Sequence, residues 1–167
     1  MNLNLRDDLS AIRKYIAERV AAQATGREPV SCIEFGYQVS QGGLLLLHFD
    51  TRYPRPLDFH WTLHLGQGHD LALPHWATAA EAMEMKGGSF IMPGGERRTV
   101  AAGSFEVVAQ LFGEALLAIA LDALAAGAFR PLTLREDCEM MVADFDGNWD
   151  NGAEQLVTRL PAKRLPR

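Results

Sequence analysis

The sequence predicts an α+β fold in which an antiparallel meander sheet is packed on one face by a long apolar helix and an N-terminal amphipathic helix. Two observations lead to this prediction. The stretch from Ser104 to Phe129 is dense in Ala and Leu, which are strong helix formers. Apolar and polar residues alternate over 33–39 and again over 58–66, and such alternation is typical of half-buried strands.

The N-terminal helix is indicated by a capping residue and an apolar stripe. Asn4 can cap it, because an Asn side chain accepts a hydrogen bond from a backbone N–H of the first turn. Gly26 and Pro29 are expected to end it. The apolar residues at helical spacing, which should face the core, are Leu5, Leu9, Ile12, Ile16 and Val20.

The register of the first two strands, 30–39 and 44–50, follows from their alternation, since a slip of one residue would turn every side chain to the other face. An odd number of residues in the turn around Gly42 and Gly43 aligns the apolar side chains of both strands. A third strand over 58–66 can extend that face. The side chains expected on it are Ile33, Phe35, Tyr37, Val39, Leu45, Leu47, Phe49, Phe59, Trp61, Leu63 and Leu65.

Further along the chain we expect a short helix at 76–86, a short strand at 89–92 and a strand at 138–145. The long helix predicted within Ser104–Phe129 carries one narrow polar stripe and is otherwise apolar, which is typical of buried helices. Its acids, Glu114 and Asp122, argue against a membrane span, because a carboxylate at the bilayer centre costs about 2.5–3.5 kcal/mol. We therefore expect a core helix, or one shared at a homodimer interface, and no membrane partner.

Size and composition predict one domain over 1–160, followed by a basic, frayed tail at 161–167. The formal net charge of −5 argues against a nucleic-acid partner, because such proteins usually present a basic surface. Two cysteines are too few for a disulfide framework, and the N-terminus has no secretory signal pattern. We therefore expect a cytoplasmic protein with two buried thiols.

A metal site is one interpretation of the polar face of the meander. In the register above, His48 lies near or opposite His60, with Glu34 and Asp50 nearby and room left above Gly36. Two His and a carboxylate suit zinc or iron, so zinc or another divalent metal is the alternative to the expected absence of a cofactor. The competing interpretation is that these residues simply form the solvated face of a half-buried sheet.

The acidic segment from Asp144 to Gly152 has alternating acids that resemble a calcium loop. The match fails at position six, where Trp149 stands in place of the glycine that such loops require. A turn built from Asp, Asn and Gly is therefore the preferred interpretation.

No catalytic motif stands out, so the leading hypothesis is a non-catalytic interaction protein that binds a protein partner or itself. The surfaces expected to bind are the loop with Arg52, Tyr53 and Arg55 and the turn around Trp149, because Arg and aromatic residues are enriched at binding hot spots. The order of elements resembles that of bacterial α+β domains, some of which neighbour toxin–immunity systems. This resemblance implies an immunity-like function and transfers no site residues. The alternative is a small metal-dependent enzyme centred on His48 and His60.

Overall fold

The computed structural model of the protein describes residues 1–26, 28–40, 42–52 and 69–146, and the backbone alone of 155–159. These residues form an α+β fold, as predicted. Its helices are α1 (Leu9–Ala24), α2 (Pro74–Lys86) and α3 (Phe105–Ala125). Its strands are β1 (Asn2–Asn4), β2 (Val30–Gln38), β3 (Leu44–Asp50), β4 (Leu71–Ala72), β5 (Gly88–Ile91), β6 (Arg97–Val100), β7 (Leu134–Asp144) and β8 (Gln155–Arg159).

The strands form two mixed sheets, one in the order β1-β5-β6 and the other in the order β4-β3-β2-β7-β8. β2 and β3 pair antiparallel in the predicted register, with Phe35 opposite Leu47 and Tyr37 opposite Leu45. Gln38 pairs with Leu44, so the turn between them holds an odd number of residues, as predicted. The apolar face shared by the first two strands is therefore confirmed.

The prediction of a purely antiparallel meander is wrong for the described strands. The second neighbour of β2 is β7, which runs parallel to it and places Val142 opposite Phe35. β7 lies far along the chain from β2, and an alternating pattern reports local conformation rather than distant pairing. The predicted third strand at 58–66 and the predicted tail at 161–167 lie outside the described residues.

The N-terminal helix begins later than predicted. Asn4 caps a single turn of 3-10 helix at Leu5–Asp7, where its Oδ1 accepts a hydrogen bond of 3.3 Å from the backbone N–H of Arg6. α1 follows, and four of the five residues of the predicted stripe are buried, with Leu9 partly buried. The strands β1, β4 and β6 were not predicted, because two to four residues are too few to establish a period.

α3 is the helix that packs against both sheets. The Tyr37 hydroxyl of β2 donates a hydrogen bond of 3.2 Å to the carbonyl oxygen of Ala109. The Phe112 ring lies 5.0 Å from the ring of Phe90 in β5 and 5.1 Å from that of Trp76 in α2. One helix therefore supplies the shared core of the fold, as its apolar composition predicted.

Within the described residues, α3 is long and apolar enough to cross a membrane by length and composition alone, and half of its most apolar window is buried inside the protein. Of the four residues in its polar stripe, Glu106, Gln110 and Asp122 are exposed and Glu114 is partly exposed. The contacts with Tyr37 and Phe90 show that the buried half of the helix packs against protein.

Both faces of β2 are buried. Tyr37 on one face contacts α3, and Glu34 on the other face is 0% exposed. Gly36 also lies on that second face, where the ring of Phe145 occupies the place of a side chain. The room that the sequence predicted above Gly36 is therefore filled by an aromatic ring.

We expect Gly36→Ala to lower the free energy of unfolding by about 1–3 kcal/mol, because the new methyl group would overlap the Phe145 ring. Gly94→Ala is the matched control, since a methyl group there meets no atom within 4 Å, and should change stability by less than about 0.5 kcal/mol. Urea denaturation followed by circular dichroism measures both. In a Phe145→Ala background Gly36→Ala should cost almost nothing, and an equal cost in both backgrounds would contradict this explanation.

Candidate functional site

The candidate site lies on the second face of the five-stranded sheet. Glu34 of β2 is directly opposite His48 of β3, and Asp50 is opposite Cys32. His48 and Asp50 are two residues apart on one strand, so they share a face. The structure thus brings together three of the four predicted metal-ligand candidates, and the fourth, His60, lies outside the described residues.

This face is not the solvated surface that the sequence suggested. Cys32, Glu34 and Asp50 are 1%, 0% and 3% exposed, whereas His48 of β3 and Glu139 and Met141 of the neighbouring strand β7 are partly exposed. A residue pattern of alternating polar and apolar side chains cannot distinguish a solvated polar face from a buried one. A buried carboxyl such as that of Glu34 is costly unless its surroundings stabilise it.

Asp50 forms hydrogen bonds and a salt bridge with Arg52. Its Oδ1 accepts hydrogen bonds from the backbone N–H and the Nε of Arg52, at 2.9 and 3.0 Å, and its Oδ2 accepts one from Nη2 at 2.9 Å. Burial raises the pKa of Asp50, but these hydrogen bonds and the guanidinium charge outweigh burial and hold the pKa below its ordinary value. In this arrangement the carboxylate is a salt-bridge acceptor.

Within the ranges that the structure describes, no group of three His, Cys, Asp or Glu side chains is arranged to hold a metal ion. Both Asp50 oxygens accept hydrogen bonds from Arg52. Whether His60 completes a set with them stays a prediction.

Arg52, a predicted binding residue, is held in place while its side chain remains 53% exposed. The Ser31 hydroxyl donates to the backbone carbonyls of Asp50 and Arg52, at 2.9 and 2.8 Å, and fixes the chain where β3 ends. The guanidinium is thus presented on an ordered backbone. The other predicted binding residues, Tyr53, Arg55 and Trp149, lie outside the described residues.

Asp146, at the start of the predicted calcium-like segment, holds the β2–β3 turn through hydrogen bonds. The carboxylate of Asp146 accepts hydrogen bonds from the backbone N–H groups of Val39 and Ser40, at 2.9 and 2.8 Å, and from the Ser40 hydroxyl at 2.6 Å. Asp144 accepts from the backbone N–H of Asp146 at 2.9 Å. This end of the segment ties the β2–β3 turn to β7, and residues 147–152 lie outside the described residues.

Both cysteines are buried, as predicted, and neither forms a disulfide bond. Burial, reinforced by the neighbouring charges of Asp137 and Glu139, raises the pKa of Cys138 to about 12. The thiolate is the reactive form of cysteine, so this side chain is an inert core residue at neutral pH.

Sequence reasoning missed one buried polar cluster at the junction of α1 and α2. Asp8, 8% exposed, accepts a hydrogen bond of 2.8 Å from the indole Nε1 of Trp76, and its carboxylate lies 3.0 Å from the Nε2 of His75. Trp76 is fully buried, so the carboxylate satisfies a donor that water cannot reach. No local pattern signals a contact between residues so distant in sequence.

Comparison of the chain with protein-family models, with curated proteins and with solved structures gave no match. The functional proposals below therefore rest on the residues themselves and on the order of elements along the sequence.

We expect Arg52→Met to raise the pKa of Asp50, because burial would then act without the opposing guanidinium. A carboxyl whose folded pKa is depressed stabilises the fold above its unfolded pKa of about 3.9 and loses that contribution as the pH falls through the folded value. The wild type should therefore lose the stability contributed by the ionised Asp50 as the pH falls below ~4. Arg52→Met should lack that contribution even at neutral pH. Carboxyl carbon-13 NMR titration measures the pKa directly.

Arg98→Met is the control for the stability measurement, because Arg98 pairs with Glu96 at 3.0 Å but that carboxyl side chain is 62% exposed. Solvent screens an exposed pair, so Arg98→Met should scarcely change the stability of the protein. An Asp50 titration identical in the wild type and Arg52→Met would contradict the proposed coupling.

Proposed function

We propose that the protein is a non-catalytic binding protein that contacts a protein partner through the surface at the end of β3. The observation that supports this proposal is the three-bond attachment of Arg52 to the buried carboxylate of Asp50, which leaves the guanidinium half exposed. A side chain already ordered in the free protein loses less conformational entropy on binding. Arg is also among the residues enriched at binding hot spots.

Two polar residues that suggested chemistry in the sequence support the same proposal, because the structure uses them internally. Asp50 orders Arg52, and Asp146 holds the β2–β3 turn through hydrogen bonds. The resemblance of the element order to bacterial α+β domains near toxin–immunity systems makes a toxin protein the first class of partner to test. Such a partner would meet Arg52 with a carboxylate or carbonyl oxygen.

The proposal predicts that Arg52→Ala weakens partner binding by about tenfold or more, since removal of a hot-spot side chain costs more than ~1 kcal/mol. The partner is first identified by chemical cross-linking and mass spectrometry in the source cell, and affinity is then measured by isothermal titration calorimetry. Arg98→Ala is the matched control, because Arg98 is similarly exposed at 48% and also pairs with an acid two residues away.

Arg52→Ala could also act by leaving Asp50 buried and unpaired, so a double variant, Asp50→Asn with Arg52→Gln, removes the guanidinium together with the carboxylate. Thermal unfolding establishes that this variant is folded. Equal affinity of the wild type and the double variant for the cross-linked partner would overturn the proposal.

The second candidate is a metal-dependent enzyme, and the cross-strand pairing of Glu34 with His48 favours it. This candidate predicts stoichiometric zinc or another divalent metal in protein purified without a histidine tag, and loss of that metal in His48→Ala. Elemental analysis decides the matter, because unchanged metal content in the variant would exclude His48 as a ligand.

A further inference from the structure

The strand β6 forms one edge of the three-stranded sheet. The sheet has the order β1-β5-β6, so the described strands pair with β6 on one side only. Arg97, Arg98 and Thr99, three of its four residues, are exposed to solvent. An edge strand with free backbone groups can pair with a strand from another chain, which makes an uncovered edge a candidate binding surface.

The backbone groups of Arg97 and Thr99 point to the open side of β6. The N–H of Ser89 in β5 donates to the carbonyl oxygen of Met1 at 2.9 Å, and so points away from β6. Thr99 is directly opposite Ser89, and in such an antiparallel pair both residues turn their backbone groups away from each other. The pattern repeats every two residues, so Arg97 has the same orientation. Across the described ranges neither residue makes a backbone hydrogen bond on that side.

Two donors and two acceptors at strand spacing favour a polypeptide as the occupant, because an extended peptide backbone offers the matching groups. The side chains restrict its charge, since β6 carries Arg97 and Arg98 and no acid. Arg98 pairs with Glu96 at 3.0 Å, whereas Arg97 has no ion pair among the described residues. Opposite side chains on neighbouring strands have Cβ atoms about 5 Å apart, so an acid opposite Arg97 would pair with it.

A second copy of this chain does not supply that acid. Two-fold pairing of β6 with β6 of another copy, centred on any residue of the strand, never places an acid opposite Arg97. The residues that it would place there are Arg97, Thr99, Ala101 and Gly103. Such pairing would also bring four arginines into one sheet, and like charges on neighbouring strands are destabilising.

We propose that β6 is the docking edge for an extended acidic segment of another protein, which joins the sheet as a fourth strand. Its backbone pairs with the outward N–H and C=O groups of Arg97 and Thr99, and an Asp or Glu side chain lies opposite Arg97. This edge contains neither Asp50 nor Arg52. The peptide-binding edge and the partner surface proposed above can therefore each fail without the other.

Selection from a displayed library of random peptides, about ten residues long, tests the edge without a known partner. We expect enrichment of sequences that combine β-branched residues with Asp or Glu. Fluorescence anisotropy then measures the affinity of the selected peptides. Failure to enrich any peptide, or enrichment of peptides that lack acids, would overturn the proposal.

Thr99→Pro tests the backbone pairing, because proline removes the outward N–H and is tolerated on an edge strand where that N–H faces solvent. It should weaken binding of the selected peptides by about tenfold or more. Thr99→Ala is the matched control, since it keeps the N–H, and should bind within about twofold of wild type. Thermal unfolding establishes that both variants are folded.

Peptides that are N-methylated at alternate residues test the same pairing without any change to the protein. Methylation of the residues whose N–H groups face β6 should abolish binding, and methylation of the other residues should not. Equal affinity of both methylated peptides, or of wild type and Thr99→Pro, would overturn the proposal.

A charge exchange tests the acid opposite Arg97. Arg97→Glu should weaken binding about tenfold at low salt, and a peptide with Lys in place of its acid should bind Arg97→Glu within about threefold of the original pair. Arg130→Glu is the control, because Arg130 is exposed and lies outside β5 and β6. Failure of the exchanged pair to recover affinity would overturn the acidic assignment.

Sedimentation velocity separates the peptide edge from a homodimer. We expect Thr99→Pro to leave any self-association of the protein unchanged, because no acid of a second copy reaches Arg97. A dimer of the wild type that Thr99→Pro abolishes would assign the edge to a second copy and overturn the proposal.

Discussion

The burial of β2 on both faces is the constraint on which the rest of the structure depends. The strand is flanked by β3 and β7, and every residue from Val30 to Tyr37 is buried. Each side chain must therefore be matched by a neighbour on its own face. Phe35 meets the ring of Phe129 edge-on at 6.2 Å, whereas Gly36 accommodates the ring of Phe145. The alternating side chains of β2 thus determine which residues can pack on each of the two faces of its sheet.

α3 extends this constraint to the second sheet. A backbone carbonyl oxygen of α3 accepts a hydrogen bond from the Tyr37 hydroxyl, and Phe112 of α3 packs against Phe90 of β5. The same helix leaves Asp122 exposed beside α1 and Leu121 exposed on a different face. A helix that is buried on one side and partly apolar on the other suits a protein that both needs a core and associates with another molecule.

Local patterns predicted the features that depend on neighbouring residues. The alternation of Ile33, Phe35 and Tyr37 gave the β2–β3 register, and hence the pairing of Glu34 with His48. The sequence could not predict that β7 lies beside β2, that Phe145 covers Gly36 or that Asp8 meets Trp76, because each joins residues far apart in the chain. For the same reason, it placed Glu34 and Asp50 on a solvated face, although both are buried.

Native-state amide hydrogen exchange tests the central position of β2 most directly. A strand paired on both sides and buried on both faces should open only in global unfolding, so the amides of Ile33–Tyr37 should exchange with a free energy equal to that of denaturant unfolding. The amides of β6, at the edge of its sheet, should exchange through smaller local openings. Exchange of the β2 amides as fast as those of β6 would contradict this account.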